Sequence, residues 1–431
     1  MIYFEHYVNK SKKRTDTQMK KTTKDAIIIG FALFSMFFGA GNLIFPGHLG
    51  YQLGSQYLIG MLGFITTGVG LPLLAILACS KGDGTFESIA EKINKKFAIA
   101  FTGILFLAIG PLLAVPRTAA TTFEVAINPF FPNIPSWVVI LVYFAINIFF
   151  VLKRSSIIDT IGKFLTPALI LILVVLIVKG IIMPIGSIQA NNATGVFATS
   201  LLEGYQTMDA IAALLFAAII TSSIKNKGYE GKEKYSVLIK ASLVAVIGLA
   251  FVYGGLTFIG AQTSDLISED INKTALLVLI ARNVLGNIGP VLIGVAMGLA
   301  CLTTSIGLIT AGSDFFETIS NGKLSYKFNV FAISIVSFGV ALLGVDKIVV
   351  YSAPILNLLY PVSITIIVYA FMQNYLKAKA GKLGVYTSLV FSVLLLIPGL
   401  NLSFLPLASI GFGWVTPTAL AIIIGQLAFK E

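Results

Sequence analysis

The residues most able to do chemistry lie inside apolar stretches. The first is Phe37-Phe38-Gly39-Ala40-Gly41-Asn42-Leu43-Ile44-Phe45-Pro46. Two glycines around an alanine, followed by asparagine, let a helix abandon its geometry cheaply. A half-helix ending near Phe38 offers free carbonyls, and one beginning near Asn42 points free N–H groups and a partial positive charge into the gap. One gap can then hold both a carboxylate and a cation. Plain close packing of small residues is the competing reading, and Asn42 at that depth favours the break. The second stretch is Leu201-Leu202-Glu203-Gly204-Tyr205-Gln206-Thr207-Met208-Asp209. Carboxylates inside a membrane span are costly and usually functional. A break at Gly204 puts Asp209 in the first turn of a new half-helix, which suits an acid. Glu203 then ends the preceding half, where it needs a cation, a donor or a proton. The plainer alternative makes Asp209 a helix cap and Glu203 a buried structural acid. The third stretch, Ala300-Cys301-Leu302-Thr303-Thr304-Ser305-Ile306-Gly307, offers three consecutive hydroxyls. With backbone carbonyls they could form an oxygen-only site for a hard cation such as Na⁺, or they could bond back to their own helix. Arg117, two turns before Glu124, is a gate residue, half of a structural pair or a snorkelling arginine. Pro354, Asn357 and Pro361 read as a kinked helix.

These residues need a membrane to position them. The chain has 431 residues, 57% hydrophobic and only 11% charged, with a mean hydropathy of +0.92. Soluble domains carry roughly 25% charged residues, so a water-soluble enzyme is excluded. At about 20 apolar residues per crossing, twelve helices are expected: 26–48, 54–79, 97–124, 136–152, 161–183, 195–223, 236–261, 287–316, 328–345, 350–373, 383–398 and 404–428. The apolar run 274–281 is too short to cross and reads as a surface or re-entrant helix. The run 26–45 is too long for a signal-peptide core and remains as a span. Residues 1–24 read as a polar, basic cytoplasmic tail, with Met19 as an alternative start.

The net charge of +11 does not point to nucleic acid, because the basic residues form no face or stripe. With the N-terminus inside, alternation over twelve spans puts every lysine and arginine on the cytoplasmic side except Lys179, Lys273, Arg282, Lys347 and the intramembrane Arg117. An added or missing span would invert that pattern downstream, so both termini are expected inside. Cys79 and Cys301 sit in or beside apolar runs and read as small hydrophobes. With His6 and His48 they build no metal centre. The first and sixth spans are five apart and insert with opposite orientation. Paired broken helices in corresponding positions point to an inverted-repeat transporter with its site at the midplane. A channel lacks its repeated pore element, an ATP-driven pump lacks a P-loop, and an intramembrane enzyme lacks a nucleophile–base pair.

Phe38-Gly-Ala-Gly-Asn-Leu-Ile-Phe-Pro46, Pro116-Arg-Thr-Ala-Ala-Thr-Thr-Phe-Glu124 and Glu203-Gly-Tyr-Gln-Thr-Met-Asp-Ala210 resemble the motifs of branched-chain amino acid:cation symporters, the bacterial BrnQ-type carriers of the APC superfamily. The resemblance runs from Met19 over nearly the whole chain. It implies an all-α integral membrane protein with the leucine-transporter fold. Five helices over 25–183, five more in an inverted repeat over 195–373 and two peripheral helices over 383–431 would make up that fold. It also implies import of leucine, isoleucine and valine with Na⁺, H⁺ being an alternative in some members. A proton-coupled carrier or exchanger of other small apolar amino acids is the second reading. The substrate site falls to Gly39, Ala40, Gly41, Asn42, Leu43, Glu203, Gly204 and Tyr205, with the carboxylate on the N–H groups of Gly41 to Leu43. The Na⁺ site falls to Thr303 and Thr304, with main-chain oxygens of Ala300, Ser35 and Phe38. Arg117, Glu124 and Asp209 are left for gating or coupling. No organic cofactor, nucleic acid or obligate protein partner is expected. The bacterial cytoplasmic membrane is the expected location. One residue fewer between Asn42 and Pro46 separates this chain from the neurotransmitter-type symporters.

Overall fold

The computed structural model describes residues 21–153, 157–267 and 270–429, with side chains throughout except over 157–166. Every element among the described residues is helical. The first expected span is a helix over 21–37 (α1) followed by Ala40–Leu53 (α2). The second is Tyr57–Ile65 (α3) and Leu71–Cys79 (α4), trailed by the short Phe86–Ala90 (α5). Lys95–Leu107 (α6) and Ala114–Thr122 (α7) form the third, and Ser136–Leu152 (α8) and Ile157–Ile182 (α9) the next two. The sixth again has two parts, Val196–Tyr205 (α10) and Asp209–Asn226 (α11), and Gly231–Gln262 (α12) is the seventh. Lys273–Leu285 (α13) is the expected short helix, and Gly289–Ile319 (α14) follows it. Tyr326–Ala341 (α15), Val345–Met372 (α16), Ala378–Leu394 (α17) and Val415–Ala428 (α18) complete the order. Of the expected N-terminal tail, residues 1–20 lie outside the described residues, and 21–24 already belong to α1.

The interruptions have local causes. A proline lacks an N–H and presses on the carbonyl four residues back. Before Pro72 and around Pro111 the chain relieves this with widened π-type turns, Thr66–Gly70 and Ala108–Leu112. Pro354 and Pro361 instead stay inside an unbroken α16. The last span starts at Val415 and not at the expected 404. Pro398, Pro406 and the left-handed Leu407 (φ 66°) and Gly411 (φ 82°) keep the preceding segment out of helix.

Packing follows a five-span shift. The half-helix α2 packs most extensively on α12, α3 on α10, α4 on α11 and α7 on α14. The first span thus meets the seventh, the second meets the sixth and the third meets the eighth. Shifting by five turns the first pairing into the second and leaves the third unchanged, as inverted repeats require. To one side, α17 packs on α16 and α18. Six stretches among the described residues are long and apolar enough to cross a membrane: 40–79, 95–127, 209–226, 231–262, 273–319 and 345–372. Their polarity is reversed relative to a soluble protein. Ile247 and Val350 are 67% and 68% exposed, whereas Arg117 and Asp209 are 3% and 2% exposed.

The α2–α12 crossing depends on absent side chains. A Cβ on Gly50 would run into the Thr257 carbonyl, and one on Gly260 into the Gly47 carbonyl. Gly260→Ala should therefore cost about 1–3 kcal/mol or more through forced separation of the helices. Thermal unfolding of the purified protein should show a clear fall in midpoint. Gly339→Ala, with nothing within 4 Å of the new Cβ, should leave the midpoint nearly unchanged.

Candidate functional site

The first span breaks at Phe38 and Gly39 only. Phe38 still donates its N–H to the Phe34 carbonyl at 2.9 Å. The next N–H, from Gly39, would in a continuous helix reach Ser35, but it goes to Asn42 Oδ1 at 2.8 Å. Gly39 adopts an extended conformation and α2 starts at Ala40. Hence the unspent donors of the first turn belong to Ala40, Gly41 and Asn42. The Leu43 N–H, expected among them, belongs to the helical ladder, and its side chain is fully buried. On the other side of the gap the Ser35 carbonyl has lost its helical partner. The Phe38 carbonyl accepts from Thr304 Oγ1 at 3.2 Å.

The sixth span breaks later than expected, at 206–208, because α10 continues through Gly204 to Tyr205. Gly204 is small for another reason: a Cβ there would collide with Thr67 of the second span. Thr67 Oγ1 also donates to the Leu201 carbonyl at 2.7 Å. What turns the chain is Met208, in the left-handed conformation at φ 66°, a strained choice for a non-glycine residue. Asp209 then opens α11, as an acid at a helix N-terminus should.

A single asparagine side chain joins the two breaks. While its Oδ1 caps Gly39, Asn42 Nδ2 donates to Asp209 Oδ2 at 2.7 Å and to the Tyr253 hydroxyl. The Tyr253 hydroxyl, from α12, donates in turn to Asp209 Oδ2 at 2.6 Å. The third span contributes Arg117, whose Nη1 donates to the Gln206 carbonyl at 2.6 Å and Nη2 to Thr207 at 3.3 Å. Those are carbonyls that the broken helix leaves unpaired. Arg117 also stands over the Phe45 ring, 5.4 Å from its centroid.

The three hydroxyls of the eighth span diverge. Successive helical residues point about 100° apart, so only Thr304 reaches helix 1. Thr303 Oγ1 donates back to the Ala300 carbonyl at 2.9 Å. Ser305 turns to α8, where it bonds Asn147 and accepts from the Tyr143 hydroxyl at 3.1 Å.

Between the breaks lies a cavity of about 20 Å³, room for one water. Gly39, Ala40, Gly41, Asn42, Arg117, Thr207, Asp209 and Thr304 line it with apolar neighbours that include Phe37, Ile109 and Leu308. Glu203, Gly204 and Tyr205 do not line it. Glu203 sits half-buried in the last turn of α10, its carbonyl accepting from the Gln206 N–H and its side chain making no hydrogen bond among the described residues. Tyr205 stacks on Tyr360 at 3.9 Å and accepts at its carbonyl from the Tyr360 hydroxyl at 3.0 Å. Glu124 lies elsewhere too. It accepts from Thr274 Oγ1 at 2.7 Å and from the Val345 N–H at 2.9 Å, tying the third span to α13 and α16. Sequence reasoning missed Tyr253 and Thr207. Nothing marks one tyrosine in an apolar helix, but Thr207 lay inside the motif.

Comparison with known proteins bears on the family and the fold. The branched-chain amino acid transport protein family matches residues 22–431. The branched-chain amino acid permease BraB of Bacillus subtilis is 35% identical over 428 residues, covering 94% of this chain and 95% of that protein. The permease BrnQ of the same organism is 37% identical over 425 residues, covering 93% and 96%. Among solved structures, Mhp1, a nucleobase-cation-symport-1 family transporter in a closed conformation with bromovinylhydantoin bound, superimposes with a TM-score of 0.64. That match has 13% identity over 94% of this chain and 91% of Mhp1. The fold is that of the leucine transporter.

Two tyrosines test the junction. Tyr253→Phe removes one of the donors to Asp209 Oδ2 and should cost about 1–3 kcal/mol, seen as a lower thermal midpoint. Tyr205→Phe removes a buried hydroxyl that has no partner among the described residues and should leave the midpoint unchanged or raise it.

Proposed function

The chain belongs to the branched-chain amino acid transport protein family, and we propose that it imports leucine, isoleucine and valine by symport with Na⁺ through alternating access. It is a multi-pass membrane transporter of branched-chain amino acids and not an enzyme. In this reading it sits in the bacterial cytoplasmic membrane with both termini inside, as the distribution of lysine and arginine favours. Leucine, isoleucine and valine differ only in an apolar side chain, which Phe37, Ile109 and Leu308 beside the cavity suit.

The observation that carries the reading is the two-sided break in helix 1. Its N–H side, Ala40 to Asn42, faces the cavity and would hold the substrate carboxylate. On its carbonyl side Phe38 accepts from Thr304; the freed Ser35 carbonyl, and Thr303 with Ala300, which bond one another, would complete the oxygen set in this reading. Those oxygens are all neutral and hard, the donor set that suits Na⁺. The hydroxyl of Thr304, now a donor to Phe38, would turn its lone pairs to the ion. Substrate and cation would then bind on either side of one gap, so each would stabilise the arrangement that the other needs. A cavity of about 20 Å³ is far too small for an amino acid. Loading therefore requires the half-helices to move apart, the gating step common to transporters of this design. One observation favours H⁺ as the coupling ion instead: Asp209, an acid at the junction of the breaks.

Leucine uptake into proteoliposomes under an imposed Na⁺ gradient, compared with an imposed pH gradient, distinguishes these. Na⁺ symport predicts accumulation with the first alone. Replacing Thr303 and Thr304 together by alanine should raise the half-saturating Na⁺ concentration by about tenfold, some 1.4 kcal/mol. An unchanged Na⁺ dependence would remove these residues from the cation site. Gly41→Val should abolish leucine binding, since a Cβ at Gly41 already meets Arg117 Nη2 at 2.8 Å and Thr207 Cα at 3.2 Å.

A further inference from the structure

We propose that Arg117 and Asp209 act as a zwitterion clamp, the guanidinium taking the substrate's α-carboxylate and the carboxylate taking its α-ammonium. The proposal rests on the reading above, that an amino acid occupies the cavity at the breaks, and it adds the two charges that read its head group.

Arg117 is almost fully buried, and a guanidinium has five N–H donors. Two are spent on Gln206 and Thr207, and Nε is buried with no partner among the described residues. An unfilled buried charge of this kind is costly unless an anion completes it. The free N–H groups of α2 lie next to it, because a Cβ on Gly41 would come within 2.8 Å of Nη2. A carboxylate on those N–H groups therefore also meets the planar fork, which matches it in shape and charge.

Asp209 is incomplete in the complementary way. Asn42 and Tyr253 both donate to Oδ2 and Thr207 adds a further contact to the carboxylate, but among the described residues no hydrogen bond from α2 or α12 reaches Oδ1. No ion pair joins Asp209 to Arg117, although both line the cavity. Opposite charges thus line one small cavity without pairing directly. The ligand that satisfies both carries an anion and a cation on one carbon, with an apolar side chain for the remaining wall. Backbone N–H groups alone would accept the neutral carbonyl of an amide almost as readily as a carboxylate; a fixed guanidinium would not.

The test is competition against labelled leucine on the purified full-length protein. Leucinamide lacks the carboxylate and 4-methylpentanoate lacks the ammonium. In the wild type each should compete at least about 100-fold more weakly than leucine. In Arg117→Gln, leucine should weaken to within a few-fold of leucinamide, while leucinamide itself is unchanged. In Asp209→Asn, leucine should converge on 4-methylpentanoate instead. Equal weakening of leucine and leucinamide in Arg117→Gln would overturn the clamp and leave Arg117 a residue that only positions the helix 6 break. Should that variant not fold, Arg117→Lys keeps the charge without the fork. It should weaken leucine while still rejecting leucinamide by more than about tenfold, and unchanged leucine affinity would overturn the proposal. Absence of leucine binding in the wild type would refute the functional reading itself, an outcome distinct from all of these.

Discussion

Hydrocarbon offers no hydrogen bonds, so a helix that breaks inside a bilayer must find partners for every backbone group it frees. In this protein the third and eighth spans supply partners for several of those groups, and the Asn42 side chain joins the two breaks. One amide caps the start of α2 through Gly39 and donates to the acid that starts α11. The orientation of that amide is fixed by chemistry, since an oxygen turned toward Asp209 would face a second acceptor. Tyr253 closes the triangle from α12, and Arg117 covers the carbonyls that α10 leaves open. Strain at Met208 is tolerated because the groups on both sides of it are held.

The same arrangement suggests how a small ligand can move large helices. The two broken spans are tied again at their far ends, where Asp25 pairs with Lys227 at 3.2 Å and accepts from the Tyr229 hydroxyl at 2.7 Å. Helix 1 and helix 6 are therefore linked at mid-depth and at one end. Between those ties Gly30 lets α1 approach Ala241 and Val244 of α12. Small residues at such crossings permit sliding as well as close approach. A ligand that replaces the bonds at the centre alters the balance between ties.

Much of this was legible in the sequence. Composition and the alternation of lysine-rich seams specify a polytopic helical protein, and glycines with a polar neighbour mark the helix 1 break. What escaped did so for physical reasons. Gly204 suggested the wrong position for the second break because glycine also serves close packing, here against Thr67, and a left-handed methionine gives no warning. Thr303, Thr304 and Ser305 look equivalent in sequence, yet helical rotation sends them to three different partners. Arg117 and Asp209 were visible as charges but not as neighbours, since 91 residues of intervening chain decide whether they share a cavity.

The account stands on one claim: the broken helices form a single site that binds a branched-chain amino acid and Na⁺ together. Calorimetric titration of leucine into the purified protein in sodium chloride and in choline chloride, at two pH values, tests it directly. Coupled binding predicts an affinity about 5- to 150-fold tighter with Na⁺ and insensitive to pH. Equal affinity in the two salts would contradict it.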